Sequence, residues 1–197
     1  MALRTRLASF VLGAALLGAP VFALAASYSE TVDGDMSGDG LAPSSLALEF
    51  GSNTISGSTL AGDLDYLTVH VPDGAVFAAL ILTVFGSTDD LAFMAIQSGT
   101  QFTEPASGTD VANLLGWAHP GLPLGDDYLA FMGTGPGAIG YSGPLPAGDY
   151  TLWIQQTGPE PIEYAFDAQV TVPEPGSLVL VAFALAALAA SRARRVG

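Results

Sequence analysis

The chain has 197 residues, with 19 acidic side chains against 5 basic ones and a formal net charge of −14. Every cation (Arg4, Arg6, Arg192, Arg194, Arg195) lies near one of the two ends. The body of the protein therefore has no Lys or Arg to neutralise phosphates, which excludes nucleic-acid binding and attraction to an anionic lipid surface. No cysteine is present, so there is neither a disulfide framework nor a thiol nucleophile.

Residues 1–26 read as an export signal. Arg4 and Arg6 give a positive start, 7–24 form an apolar run that Pro20 interrupts, and Ala23, Ala25 and Ala26 supply the small residues that signal peptidase cuts beside. Cleavage after Ala25 or Ala26 starts the mature chain near Ser27.

Residues 27–45 are dominated by Gly, Asp, Ser and Pro and read as an extended, solvated acidic arm with turns. Within it Asp33, Asp35, Ser37 and Asp39 carry oxygen ligands at every second position, the pattern a hard cation such as calcium requires. Gly38 sits where an EF-hand loop keeps its glycine, but the twelfth position is Ser44 instead of a bidentate Glu. The segment is a candidate calcium loop and not an EF-hand.

Residues 46–172 show many short strand-like runs separated by Gly, Pro, Asp and Asn, and no sustained helical period, which predicts an all-β antiparallel sandwich. The expected strands are 46–50, 54–59, 65–71, 76–85, 91–97, 114–118, 128–132, 150–156 and 164–172. Alternation is clearest at 65–71, where Leu67, Val69 and Val71 define a core face and Tyr66, Thr68 and His70 the opposite, solvated one. The nearly continuous apolar run 76–85 predicts a central strand buried on both faces. Asp89-Asp90-Leu91-Ala92-Phe93-Met94 echoes Asp126-Asp127-Tyr128-Leu129-Ala130-Phe131-Met132, an acidic turn feeding an apolar strand in each.

Catalytic side chains are few. His70 and His119 stand apart from any nucleophile-elbow or paired-histidine motif and are expected to have ordinary structural or surface roles. Adjacent carboxylates such as Asp89-Asp90 and Asp126-Asp127 point to opposite faces of a strand, so neither pair makes a dyad. The tryptophans and tyrosines are expected to pack in the core before they serve as a sugar platform.

Residues 173–197 close the chain with Pro173-Glu174-Pro175, an uncharged apolar stretch at 177–190, and Arg192, Arg194 and Arg195. The stretch is a short candidate transmembrane helix with its positive flank on the cytoplasmic side.

The three-part tail, from Val172-Pro173-Glu174-Pro175-Gly176-Ser177 to the arginines, resembles the PEP-CTERM sorting signal of Gram-negative bacteria. That resemblance implies a stay in the inner membrane, recognition by an exosortase, cleavage near 173–175, and delivery to the cell surface or to extracellular polysaccharide. Asn53-Thr54-Ile55-Ser56-Gly57, the run from Gly62-Asp63-Leu64-Asp65-Tyr66 to Val71-Pro72-Asp73-Gly74, and Pro146-Ala147-Gly148-Asp149-Tyr150 resemble the bacterial pre-peptidase C-terminal domain. This second resemblance implies a jelly-roll-like sandwich of the kind found beside secreted enzymes. It also implies a calcium site in some copies, where Asp63 and Asp65 match the acidic pair and Glu30, Asp33 and Asp35 stand as linker counterparts.

The expectation is a non-enzymatic, exported surface or matrix protein with a structural or adhesive role linked to exopolysaccharide or biofilm. The alternative is a calcium-dependent carbohydrate or polymer binder, and a third is a secreted hydrolase using carboxylates.

Overall fold

The alternation at 65–71 organises a computed structural model that describes residues 25–87, 91–121 and 123–173. Leu67, Val69 and Val71 lie on β4 (Leu64–Phe85), a strand of 22 residues, and all three are buried. Around β4 are β1 (Ser27–Ser29), the single helical turn α1 (Glu30–Asp33), β2 (Ser44–Ala47), β3 (Gly51–Thr59) and β5 (Ala92–Ser98). A 3-10 turn (Val111–Asn113), β6 (Gly116–Ala118), α2 (Tyr128–Gly133), β7 (Leu145–Gln156) and β8 (Ile162–Thr171) complete the order. The hydrogen-bonded path is β1-β3-β8-β4-β7-β5-β6, with β2 added to β4.

The architecture is mostly β and matches a sandwich, but its two halves are parts of one sheet. The expected strands 65–71 and 76–85 are continuous: the register shifts between Val71 and Val76. Pro72-Asp73-Gly74 reads as a turn, yet the chain passes through it as an irregularity, with Gly74 at φ 77°. Before this point β4 pairs with β2 and β7; after it β4 pairs with β8, while β7 stays alongside only as far as Phe77, opposite Leu145. The sheet thus folds over on itself, and both halves feed one core: Leu67, Val69, Leu152 and Ile154 from one, Leu80, Leu82, Phe166 and Ala168 from the other.

Four further expectations are corrected. The face of Tyr66 and Thr68 is not solvated: the segment after β5 covers it, with Phe102 packed on Tyr66 and Trp153 and with Thr68 Oγ1 donating to Thr100 O. The run 76–85 is not buried on both faces, because it lies at one edge of its half; Val84 is 45% exposed. That edge is closed by Gly125 N donating to Leu82 O, Leu82 N to Asp126 O, and Leu80 N to the Asp127 carboxylate, which blunts it against pairing with another chain.

The segment 128–132 is helical. Asp127 caps α2 by accepting from Leu129 N at 3.0 Å, and Tyr128, Leu129 and Met132 face the core at helical spacing. The echo of 89–94 in 126–132 therefore ends in a strand in one place and a helix in the other. The arm is docked along its length, not free in solvent: β1 runs parallel to β3, β2 runs parallel to β4, and Met36 is 2% exposed. These two short strands are also the parallel exceptions in an otherwise antiparallel sheet. The fully buried Asn53 anchors the start of the arm, accepting from Ala26 N and Glu49 N while donating to Ala168 O.

No helix among the described residues is long and apolar enough to cross a membrane. The expected transmembrane segment at 177–190 lies outside the described residues, as do Arg4 and Arg6.

Candidate metal centre

Where the arm crosses the sandwich, three carboxylates converge. Asp65 opens β4, Glu30 begins α1, and Asp35 follows the turn; one ligand atom from each lies within 4.8 Å of the others. Asp65 is fully buried, and its Oδ2 accepts from Tyr164 Oη of β8 at 2.7 Å. Its Oδ1 is buried with no hydrogen-bond partner among the described residues. A buried acceptor left in that state costs roughly 1–3 kcal/mol, more when charged.

Glu30 is held for the site by the backbone. Its Oε1 accepts from Met36 N at 3.2 Å and its Oε2 from Ser58 N at 2.7 Å. Each oxygen keeps a second lone pair for a cation. The close approach depends on Gly57 of β3, where a Cβ would meet Tyr164 Oη at 2.6 Å, Glu30 Cδ at 2.7 Å and Glu30 Oε2 at 2.8 Å. A hollow of about 310 Å³ lined by Glu30, Gly57, Glu163 and Tyr164 adjoins the cluster.

The electrostatics are those of carboxylates lacking a counter-charge. Burial pushes the Asp65 carboxyl up to about 8; the Tyr164 hydrogen bond opposes this, and Glu30, Asp63 and Asp35 add to it. Burial, then Asp35, also raises Asp63, while Tyr164 is driven well above the ordinary tyrosine range by burial and by Asp65. A cation would remove the cost of ionising Asp65, and an all-oxygen set of this kind suits calcium.

The structure sorts the residues expected from the sequence. Asp35 and Asp65 meet, and Asp63 lies within electrostatic reach of both. Asp33, Ser37 and Asp39 are engaged locally: Asp33 accepts from Ser29 N, Ser37 Oγ from Asp39 N, and Asp39 from Leu41 N. Glu30 and Tyr164 complete the site, and of these only Glu30 had a signal, as an acid at the start of the arm. Ala25 and Ala26 open the described chain, and Ala26 is bonded to β3 through both N and O. Pro173 is exposed two residues past β8, while Ala23, Glu174, Pro175, Arg192, Arg194 and Arg195 lie outside the described residues.

Residues 171–195 match the family model of the PEP-CTERM protein-sorting motif. That motif implies export, a membrane-associated sorting signal recognised by an exosortase, and processing for the cell surface. No curated protein matches the chain. Among solved structures, the pre-peptidase C-terminal domain of a collagenase from Bacillus anthracis is similar at 12% identity and a TM-score of 0.35, over 65% of this chain and 93% of that one. The chemistry of the carboxylate cluster rests on its own residues.

Proposed function

We propose that this is an exported protein cut by signal peptidase, held briefly in the inner membrane by a helix at 177–190, and then processed by an exosortase near 173–175. The sorting motif carries this reading. Delivered to the surface or matrix, its jelly-roll-like domain serves a structural or adhesive role linked to exopolysaccharide. A signal-peptidase cut after Ala25 fits better than one after Ala26, because Ala26 N and O both bond to β3.

Calcium held by Glu30, Asp35 and Asp65 is the second part of the proposal. The unpartnered Oδ1 of Asp65 favours it. The ion would neutralise the buried charge and lock the arm to the sandwich, supplying rigidity rather than chemistry. Because this domain has no cationic side chain beyond its histidines, divalent ions are also a means by which it could engage an acidic polymer.

Intact mass and location of the mature protein from a producing cell test the first part. A chain lacking 1–25 and everything beyond about 175, found at the surface or in the matrix, is the expected result. A chain that keeps 177–195 in the inner membrane overturns it. Polymer binding with and without chelator separates a purely structural protein from a calcium-dependent binder.

A further inference from the structure

On the outer face of the first half of β4, away from the carboxylate cluster, three side chains from three adjacent strands form a continuous hydrogen-bonded line. His70 of β4 lies directly opposite Asp149 of β7, and its Nδ1 is 2.6 Å from Asp149 Oδ1. On the other side, in β2, Ser45 Oγ is 2.9 Å from His70 Nε2. The carboxylate accepts, so Nδ1 is the donor, and in its neutral form the ring would present Nε2 as an acceptor to the serine hydroxyl. The order nucleophile, base, orienting acid and both contact lengths are those of an activated serine.

The line opens to solvent: the His70 and Asp149 side chains are 38% and 42% exposed. A shallow cleft of about 320 Å³, lined by Leu41, Pro43, Ser45, Thr68, His70 and Gln101, lies over the serine. Its floor is fixed, because Thr68 Oγ1 is 2.8 Å from Thr151 Oγ1 of β7. β2 pairs with β4 alone among the described strands, so the N–H groups on its outer edge are the donors available to an oxyanion at Ser45.

We propose that Ser45, His70 and Asp149 hydrolyse neutral esters of short acyl groups. Ser45 Oγ attacks the carbonyl carbon while its proton passes to His70 Nε2; the ester C–O bond breaks, and the alcohol leaves with that proton. Water then attacks the acyl-serine, giving one proton to Nε2, and the acid departs as Ser45 regains its hydrogen. Asp149 is a positioning residue that holds the ring. The chain's negative charge and the cleft's lack of cations disfavour anionic substrates, and the shallow rim of Leu41 and Pro43 suits a short acyl group.

The test uses the purified full chain with p-nitrophenyl acetate, and separately a fluorophosphonate probe located by peptide mass. Probe mass on Ser45 is expected, with at least about a tenfold fall in hydrolysis for Ser45→Ala and His70→Gln. Asp149→Asn should also slow the reaction and Asp149→Glu should restore part of it. An unlabelled Ser45 overturns the proposal. So does a Ser45→Ala protein with parental circular dichroism that hydrolyses the ester as fast as the parent. Ser45 is exposed, and labelling of the parent decides the matter even for a variant that folds poorly.

Discussion

Four acids of the arm share a neighbourhood and meet two fates. Asp33 and Asp39 turn back on their own backbone, accepting from Ser29 N and Leu41 N, as short acidic side chains do in any polar turn. Glu30 and Asp35 instead face Asp65, a carboxyl already buried in the sandwich. The contrast shows that spacing along a loop does not decide which acids converge; that is decided by the one carboxylate that the fold removes from water.

The sharpest way to break this comparison is to remove that carboxylate. If calcium binds as proposed, it should raise the parent's melting temperature, and Asp65→Asn should abolish that rise, a loss of about 2.7 kcal/mol at a hundredfold excess over Kd. Without calcium it should make the protein more stable near neutral pH than the parent, because an amide folds without the proton uptake that burying Asp65 requires. Gly57→Ala tests the same centre through packing. Its new methyl meets Glu30 and Tyr164, so the calcium response should fall with Asp65 still present, as read by calorimetric titration.

The pH dependence follows in size. Unfolded, Asp65 loses its proton near pH 3.9; folded, it keeps it to about 8. Between these values unfolding releases a proton, so in chelator this group makes stability fall as pH rises, and urea midpoints across the window should show it. Calcium should reverse the trend, its apparent affinity increasing as the proton is displaced. Asp127→Ala, remote from the centre, removes the α2 cap and the acceptor for Leu80 N, and should cost about 1–2 kcal/mol in denaturant unfolding while leaving the calcium response intact. The smallest effect belongs to Asp33→Asn and Asp39→Asn, each expected within about 0.5 kcal/mol of the parent and without change in calcium affinity. A large loss of affinity in either would return the site to the loop.

Much of the sheet was legible because one-sided burial leaves a period of two. The core face of 65–71, and the strands that became β5, β7 and β8, follow from it. The helix at 128–133 was hidden because six residues are too few to separate the two periods, although Asp127 before Tyr128, Leu129 and Met132 is the signature of a capped turn. The continuity of β4 was hidden by Pro72-Asp73-Gly74, which punctuates local sequence but is overridden by the strands on either side. In the carboxylate cluster the acids were visible as charge, whereas Gly57 and Tyr164 matter through approaches made across β3 and β8. Ser45, His70 and Asp149 are brought together solely by the pairing of β2, β4 and β7, which no local pattern records.

The place of β8 has a mechanical consequence. It ends at Thr171, two residues before Pro173, and is flanked along its length by β3 and by the second half of β4, both antiparallel to it. A pull applied from the C-terminal end therefore enters the domain along the axis of an interior strand. The load is shared in shear by both ladders at once and is not spent opening one bond after another, so a domain held by this end resists drag from its surroundings best in the direction in which it would be held.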